Sequence, residues 1–247
     1  MVRFSINVNK VALVRNTRDL GIPSVLRAAR LCLEAGVHGI TVHPRPDGRH
    51  IRPNDVRELA LLSREYGSEF NVEGYPSDDF LALIFEVRPD QCTLVPDTPT
   101  QQTSDHGWNI IRHHDQLASA IGALNAAGVQ TSLFMDAATP ADADRIVQAR
   151  DVGAACVELY TEPWAKAYGT KLQAEVLTNI SAAAQRAHDA GLRVNAGHDL
   201  NLLNLHPLVD AVPQIQEVSI GHAFIADALE LGYNAAVRAY LDVLTGI

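Results

Sequence analysis

The chain has 247 residues, 47% hydrophobic and 20% charged, with a formal net charge of −9. These are globular values, and a chain of this length can bury a sizeable core. The acidic balance disfavours nonspecific binding to nucleic acid or anionic membranes, so any bound anion must be gripped by a local basic cluster.

The first strand is predicted at 3–8, closing on Asn7 and Asn9 with Lys10, Arg15 and Arg18 close behind. "PSVLRAARLCLEAG" repeats apolar residues at helical spacing and ends on Gly36, a C-cap signal. Strand two, 39–43, delivers His43 and opens into "PRPDGRH", which gathers Arg45, Arg49 and His50 ahead of Arg52. Arg45 and His50 suit an anion grip, whereas Arg49 and Arg52 read as solvated charge. "NDVRELALLSREYG" is the next helix, and strand three, 69–73, ends at Glu73. Ser77 caps "SDDFLALIFEVR" before strand four at 91–95. Residues 96–112 then form a polar, turn-rich loop carrying Thr103, placed where a lid would be.

After Gly128, strand five, 130–135, ends at Asp136, and Thr139 caps one helix, "TPADADRIVQARDVG", that closes on Gly153. Strand six, 156–160, holds Glu158, and 161–170, "TEPWAKAYGT", reads as a second polar loop. Gly191 closes a helix ahead of strand seven, 193–196, with Asn195, His198 and Asp199 at its end. Strand eight, 217–220, delivers Gly221 and His222. Each glycine-capped helix is followed by a short apolar run of the kind buried on both faces of a sheet.

Eight alternations of strand and helix predict an α/β chain folded as a closed (β/α)8 TIM barrel, one domain over 1–247, with an open doubly wound sheet as the alternative. Cys32, Cys92 and Cys156 stand singly, without C-x-x-C or zinc spacing, and read as reduced core residues. With no signal-like start and no apolar run near ~18 residues, the expectation is a soluble cytoplasmic protein without a membrane partner.

Strand ends of such a barrel converge on one mouth, and nearly every one here carries a group able to move a proton or hold an anion. Histidines titrate near neutrality, carboxylates ringed by apolar residues have raised pKa values, and arginines grip phosphate in bidentate fashion. Glycine backbone amides in "AGHD" and "IGH" lie where barrels bind phosphate. The chemistry suggested is acid–base work on a phosphorylated substrate. There is no Walker A sequence or dinucleotide fingerprint, so no cofactor is expected. His43, His198, His222, Glu73 and Asp136 could ligate a metal, but no H-x-H or H-E-x-x-H spacing supports one.

The phrases "SINVNKVALVRNTR", "GITVHPRPDGRHI", "FNVEGY", "SLFMDA", "VELYT", "RVNAGHDLN" and "SIGHAFI" together resemble the pyridoxine 5′-phosphate synthase family, in order over most of the chain. The resemblance implies a homo-octamer of four dimers that condenses 1-deoxy-D-xylulose 5-phosphate with 3-amino-2-oxopropyl phosphate. It also implies general bases at His43 and Glu73, a proton donor at His198 and a transition-state carboxylate at Glu158. Arg45, His50 and Thr103 match positions that hold the deoxyxylulose phosphate, and Asn7, Arg18, Gly221 and His222 those that hold the other substrate. Where the commonest family pattern has Asp-His this chain has Asn9-Lys10, and Asp199 replaces a glycine, so substrate contacts at Asn9, Lys10 and Asp199 are expected to differ. Other readings are a sugar-phosphate isomerase or aldolase barrel, with Lys10 as a Schiff-base candidate, or a non-catalytic phosphate-ligand binding protein.

Overall fold

Residues of opposite character alternate along most of the strands, and in the computed structural model, which describes residues 1–97, 101 and 103–246, that alternation separates two interiors. The chain runs β1 (Arg3–Asn7), α1 (Asn9–Arg15), α2 (Val25–Glu34), β2 (Gly39–Val42), α3 (Pro53–Tyr66), β3 (Glu69–Gly74), α4 (Asp78–Val87) and β4 (Gln91–Leu94). It continues through α5 (Ile110–Ala126), β5 (Gln130–Met135), α6 (Pro140–Arg145), α7 (Gln148–Asp151), β6 (Cys156–Tyr160), α8 (Glu162–Ala167) and α9 (Gln173–Asp189). β7 (Arg193–Gly197), α10 (Leu205–Ala211), β8 (Ile215–Ile220), α11 (His222–Leu231) and α12 (Tyr233–Thr245) complete it. All eight strands are parallel and β1 pairs with β8, so the sheet closes into a barrel and the open-sheet alternative falls.

Local chemistry sets the boundaries. Ser24 and Ser77 accept the N–H of Arg27 and Phe80 at the starts of α2 and α4, satisfying donors that a helix start leaves open. Gly36, Gly128, Gly153 and Gly191 all take positive φ (105°, 78°, 86° and 79°), the backbone their helix ends require.

One strand face carries Phe4, Ile6, Ile40, Val42, Phe70, Val72, Leu94, Leu133, Leu159, Val194 and Val218, fully buried or nearly so against the helices. This shell between sheet and helices is the main core. The opposite face is polar. Contacts between strands that are not neighbours show that it points inward: Arg3 pairs with Glu69 at 2.8 Å, Asn195 donates to Gln91 at 3.2 Å, and Asn7 Nδ2 donates to Glu73 at 3.4 Å. The strands are therefore buried on both faces, as expected, but apolar on one and largely polar on the other. Cys32, Cys92 and Cys156 are buried free thiols. No helix of the described residues is long and apolar enough to cross a membrane.

Two helical expectations are corrected. The segment 139–153 is two helices, because the ladder tightens to Ala149 N–H→Ile146 O and Arg150 N–H→Val147 O, which leaves both Ile146 and Ala149 fully buried. The second loop, 161–170, contains α8, anchored by a fully buried Trp164 whose Nε1 donates to Asn204 O at 3.0 Å. Its polar letters hid one large core residue. Part of the proposed lid, residues 98–100 and 102, lies outside the described residues.

Candidate active site

The strand ends surround a cavity of about 550 Å³. Every residue given a catalytic or substrate-contacting role from the sequence lines it except Arg18. Asn7 ends β1; Asn9 and Lys10 belong to the first turn of α1 rather than to the strand. His43 follows β2, Glu73 lies on β3, Glu158 on β6, His198 and Asp199 follow β7, and Gly221 and His222 start α11. Val95 and Phe134 line the same cavity and with Tyr160 form a small apolar cluster separate from the main core.

At the base of the cavity stand two carboxyl groups, Glu73 and Glu158, that form no ion pair with Lys or Arg among the described residues. Burial pushes Glu73 well above the usual carboxylate range, and the charges of Glu158 and Asp97 push it further. Burial raises Glu158 to about 7, opposed by the pull of His198. His43 Nδ1 is 3.9 Å from Glu73 Oε2. Burial drives the His43 pKa down to about 3, and His50 and Arg45 repel its charged form, so the ring is neutral at pH 7. A short amide relay holds this pair: Asn7 Oδ1 accepts Asn9 N–H at 3.0 Å, and Asn9 Oδ1 accepts His43 N–H at 2.9 Å. A neutral imidazole beside a carboxyl of raised pKa is the composition a general base needs near neutrality. Room for Glu158 comes from Gly197, where a Cβ would sit 2.2 Å from Glu158 Oε1.

Cations gather at the rim. Arg45 is buried, with an ion pair to Asp97 and a bond to Gln101 O at 2.6 Å. Arg49 donates to the same carbonyl at 2.8 Å and to Asp47. Ser104 Oγ donates to Asp97 at 2.9 Å, tying the loop after β4 to the arginine. His50 Nδ1 accepts Ile51 N–H at 2.9 Å, so the neutral ring carries its proton on Nε2 and can donate to an anion. Its pKa is lowered to about 4 by burial, then by Arg45 and Lys10. Across the cavity, the N-terminus of the ten-residue α11, which has no side-chain cap among the described residues, adds backbone N–H groups and the positive end of its dipole. His198 Nε2 lies 2.9 Å from Thr103 Oγ1.

Several residues stand apart from the places the sequence suggested. Arg18 lies on an exposed turn after α1, outside its own chain's cavity, and Arg15 is taken up by Asp55 of α3 at 2.9 Å. Asp136 does not reach the cavity, because Gly107 N–H closes over it at 2.9 Å. Asn195 gives its amide to Gln91 across the barrel. Arg49 lines the cavity instead of standing as surface charge, since Asp47 and Gln101 fold it back. The sequence reading missed Asp97, and it took the "AGHD" glycine, Gly197, for a phosphate-binding amide rather than the space that seats Glu158. Among the described residues no group of three or more His, Cys, Asp or Glu side chains could hold a metal ion.

A family model described as pyridoxal phosphate biosynthesis protein PdxJ matches residues 4–246. A pyridoxine 5′-phosphate synthase of Albidiferax ferrireducens is 54% identical over 245 residues, covering 97% of this chain and 96% of that protein. One from Porphyromonas gingivalis is 48% identical over 244 residues, covering 99% of each. Among solved structures, phosphoribosylanthranilate isomerase from Thermotoga maritima superposes with a TM-score of 0.62 at 15% identity over 100% of both chains, a likeness of fold alone.

Proposed function

The chain belongs to the pyridoxal phosphate biosynthesis protein PdxJ family, and we propose that it is a pyridoxine 5′-phosphate synthase condensing 1-deoxy-D-xylulose 5-phosphate with 3-amino-2-oxopropyl phosphate, with release of phosphate and water. The observation that carries this reading is one cavity with un-neutralised carboxyls and a neutral histidine at its base and phosphate-binding groups on two sides of its rim. A condensation of two phosphorylated molecules needs both features.

On this reading Glu73 and His43 act as bases in enolisation and ring closure, and His198 gives protons to departing oxygens. Glu158 stabilises developing positive charge when ionised; its pKa of about 7 lets it change state near neutrality. Arg45, His50 and Thr103 take the deoxyxylulose phosphate. Lys10 stands close enough to lower the His50 pKa and adds charge to the same grip. Asn7, Gly221 and His222 take the second phosphate at the α11 N-terminus. Phosphate entry at Arg45 competes with Asp97, so substrate binding and the Ser104 contact change together.

Arg18 keeps its expected role only when a second copy of the chain delivers it. Leu20 and Ile22 beside it, 63% and 65% exposed, supply apolar surface for such a contact, which supports a homo-oligomer, the octamer of the resemblance included. A cytoplasmic location goes with this assignment. Incubation of the purified protein with both substrates tests the function: pyridoxine 5′-phosphate and inorganic phosphate should appear in equal amounts. Tight binding of both substrates without product between about pH 6 and 9 overturns it in favour of a binding protein. Borohydride trapping at Lys10 would favour an aldolase instead.

A further inference from the structure

We propose that Asp199 is a positioning residue for His198: its carboxylate holds the imidazole Nδ1–H, so that Nε2 is the atom that delivers a proton into the cavity. The proposal deepens the reading of His198 as the acid and rests on it.

The two ring nitrogens meet different surroundings. Nε2 faces the cavity, 2.9 Å from Thr103 Oγ1. Nδ1 is shut off from solvent and has no hydrogen-bond partner within the described structure, while Asp199 Oδ1 stands 3.5 Å away. Buried ring nitrogens are rarely left without a partner, and a small rotation of the carboxylate closes that gap to the ~2.8 Å of a charge-assisted bond. Asp199 is half exposed at its side chain, so the rotation meets no packed wall.

The backbone supports the assignment. His198 and Asp199 both have positive φ, 92° and 57°. Glycine would adopt these angles freely, and a side chain persists there only where the surroundings hold it. Thr161 Oγ1 lies 2.7 Å from Gly197 O and 2.6 Å from His198 O, and Asn204 Nδ2 donates to Asp199 O at 3.1 Å. The Tyr160 ring meets the imidazole edge-on at 5.1 Å. This turn thus accepts a strained backbone and gains a carboxylate beside the histidine.

The charged and titratable groups around the pair are Glu158 and Tyr160 from β6, Lys166 from α8 and His222 from α11. The His198 imidazole, helped by His222 and Lys166, holds the Asp199 carboxyl below the usual range, so it is ionised at neutral pH. When His198, protonated on both nitrogens, gives its Nε2 proton to a departing hydroxyl, which leaves as water, the ring is left neutral with Nδ1–H still donating to Asp199, and the carboxylate keeps its charge. A carboxylate turned to Nδ1 also resolves why an acidic residue lines a phosphate cavity: it serves the histidine, not the substrate.

The test compares wild type with Asp199→Gly and Asp199→Asn by 15N NMR of the His198 ring, ligand-free and at a pH where the ring is neutral, and by steady-state kinetics. The glycine variant removes the backbone strain, so it should fold at least as well. Wild type should show a protonated Nδ1 and a bare Nε2; Asp199→Gly should lose that preference. In both variants kcat should fall about 10- to 100-fold, part of what a well-placed acid supplies, with KM changed less than about 2-fold. An unchanged His198 tautomer in Asp199→Gly, or kcat within about 2-fold of wild type, overturns the proposal. A wild-type protein that makes no product would refute the synthase reading, and the NMR comparison would still decide the Asp199 pairing.

Discussion

The floor and the mouth of the barrel interior are built from the same strands, two to four residues apart, yet they treat charge in opposite ways. At the floor, Arg3 of β1 reaches Glu69 at 2.8 Å and Glu217 at 3.7 Å, and Arg193 of β7 donates to Cys156 Sγ at 3.0 Å and Gln91 at 3.3 Å. At the mouth, Glu73 and Glu158 have amides, a hydroxyl and imidazoles around them, while the arginines are held one layer higher by Asp97 and Asp47. Even the floor does not balance fully, since burial and Glu69 lift Glu217 to about 8 against the pull of Arg3. The difference shows where the fold accepts an electrostatic cost. A buried carboxyl without a cation is unfavourable for folding and useful for moving protons.

Breaking the mouth should therefore cost activity, and breaking the floor should cost stability. Glu73→Gln keeps the shape and removes the proposed base, and kcat should fall about 10²- to 10⁴-fold without loss of thermal stability. Arg45→Met should raise KM for the sugar phosphate proposed to bind there about 10- to 100-fold, the range of a charge-assisted contact worth roughly 1.5–3 kcal/mol. It also strands buried Asp97, so denaturant unfolding should show a loss of several kcal/mol, relieved in Arg45→Met/Asp97→Asn while KM stays high. Gly197→Ala drives a Cβ into Glu158 Oε1, and kcat should drop on the order of 10-fold with KM little changed.

The pH dependence sharpens the contrast. Glu158 titrates at about 7 in the folded protein, above its unfolded value, so its contribution to stability is full at acidic pH and is lost as pH rises from about 4.3 toward 7. The melting temperature of Glu158→Gln should decline less over that interval than that of wild type. Smallest of all, Arg3→Met at the floor should destabilise by about 1–2 kcal/mol, because Arg3 is partly exposed, and leave kcat within about 2-fold.

The barrel was legible because its signals are local. Capping serines, helix-closing glycines and the short apolar runs that follow them each act over a few residues, and the strand bounds agree to within about two residues. Strand-end placement was enough to bring His43, Glu73, Glu158 and His198 to one cavity. It failed where a distant segment decides which strand-end group stays open. Asp136 is covered by Gly107, Asn195 turns to Gln91, and the arginine in "PDGRH" folds inward over a loop carbonyl. Asp97 was overlooked because its partner Arg45 is fifty-two residues away.

Glycine-capped helices alternating with short apolar runs thus specify eight strands, their order and the chemical types at their ends, since those properties depend on near neighbours along the chain. The state of those groups does not. The neutrality of His43, the raised carboxyls of Glu73 and Glu158 and the pairing of His198 with Asp199 arise from burial and from charges on other strands. Such fields exist only once closure of the barrel has brought the strand ends together and excluded water from between them.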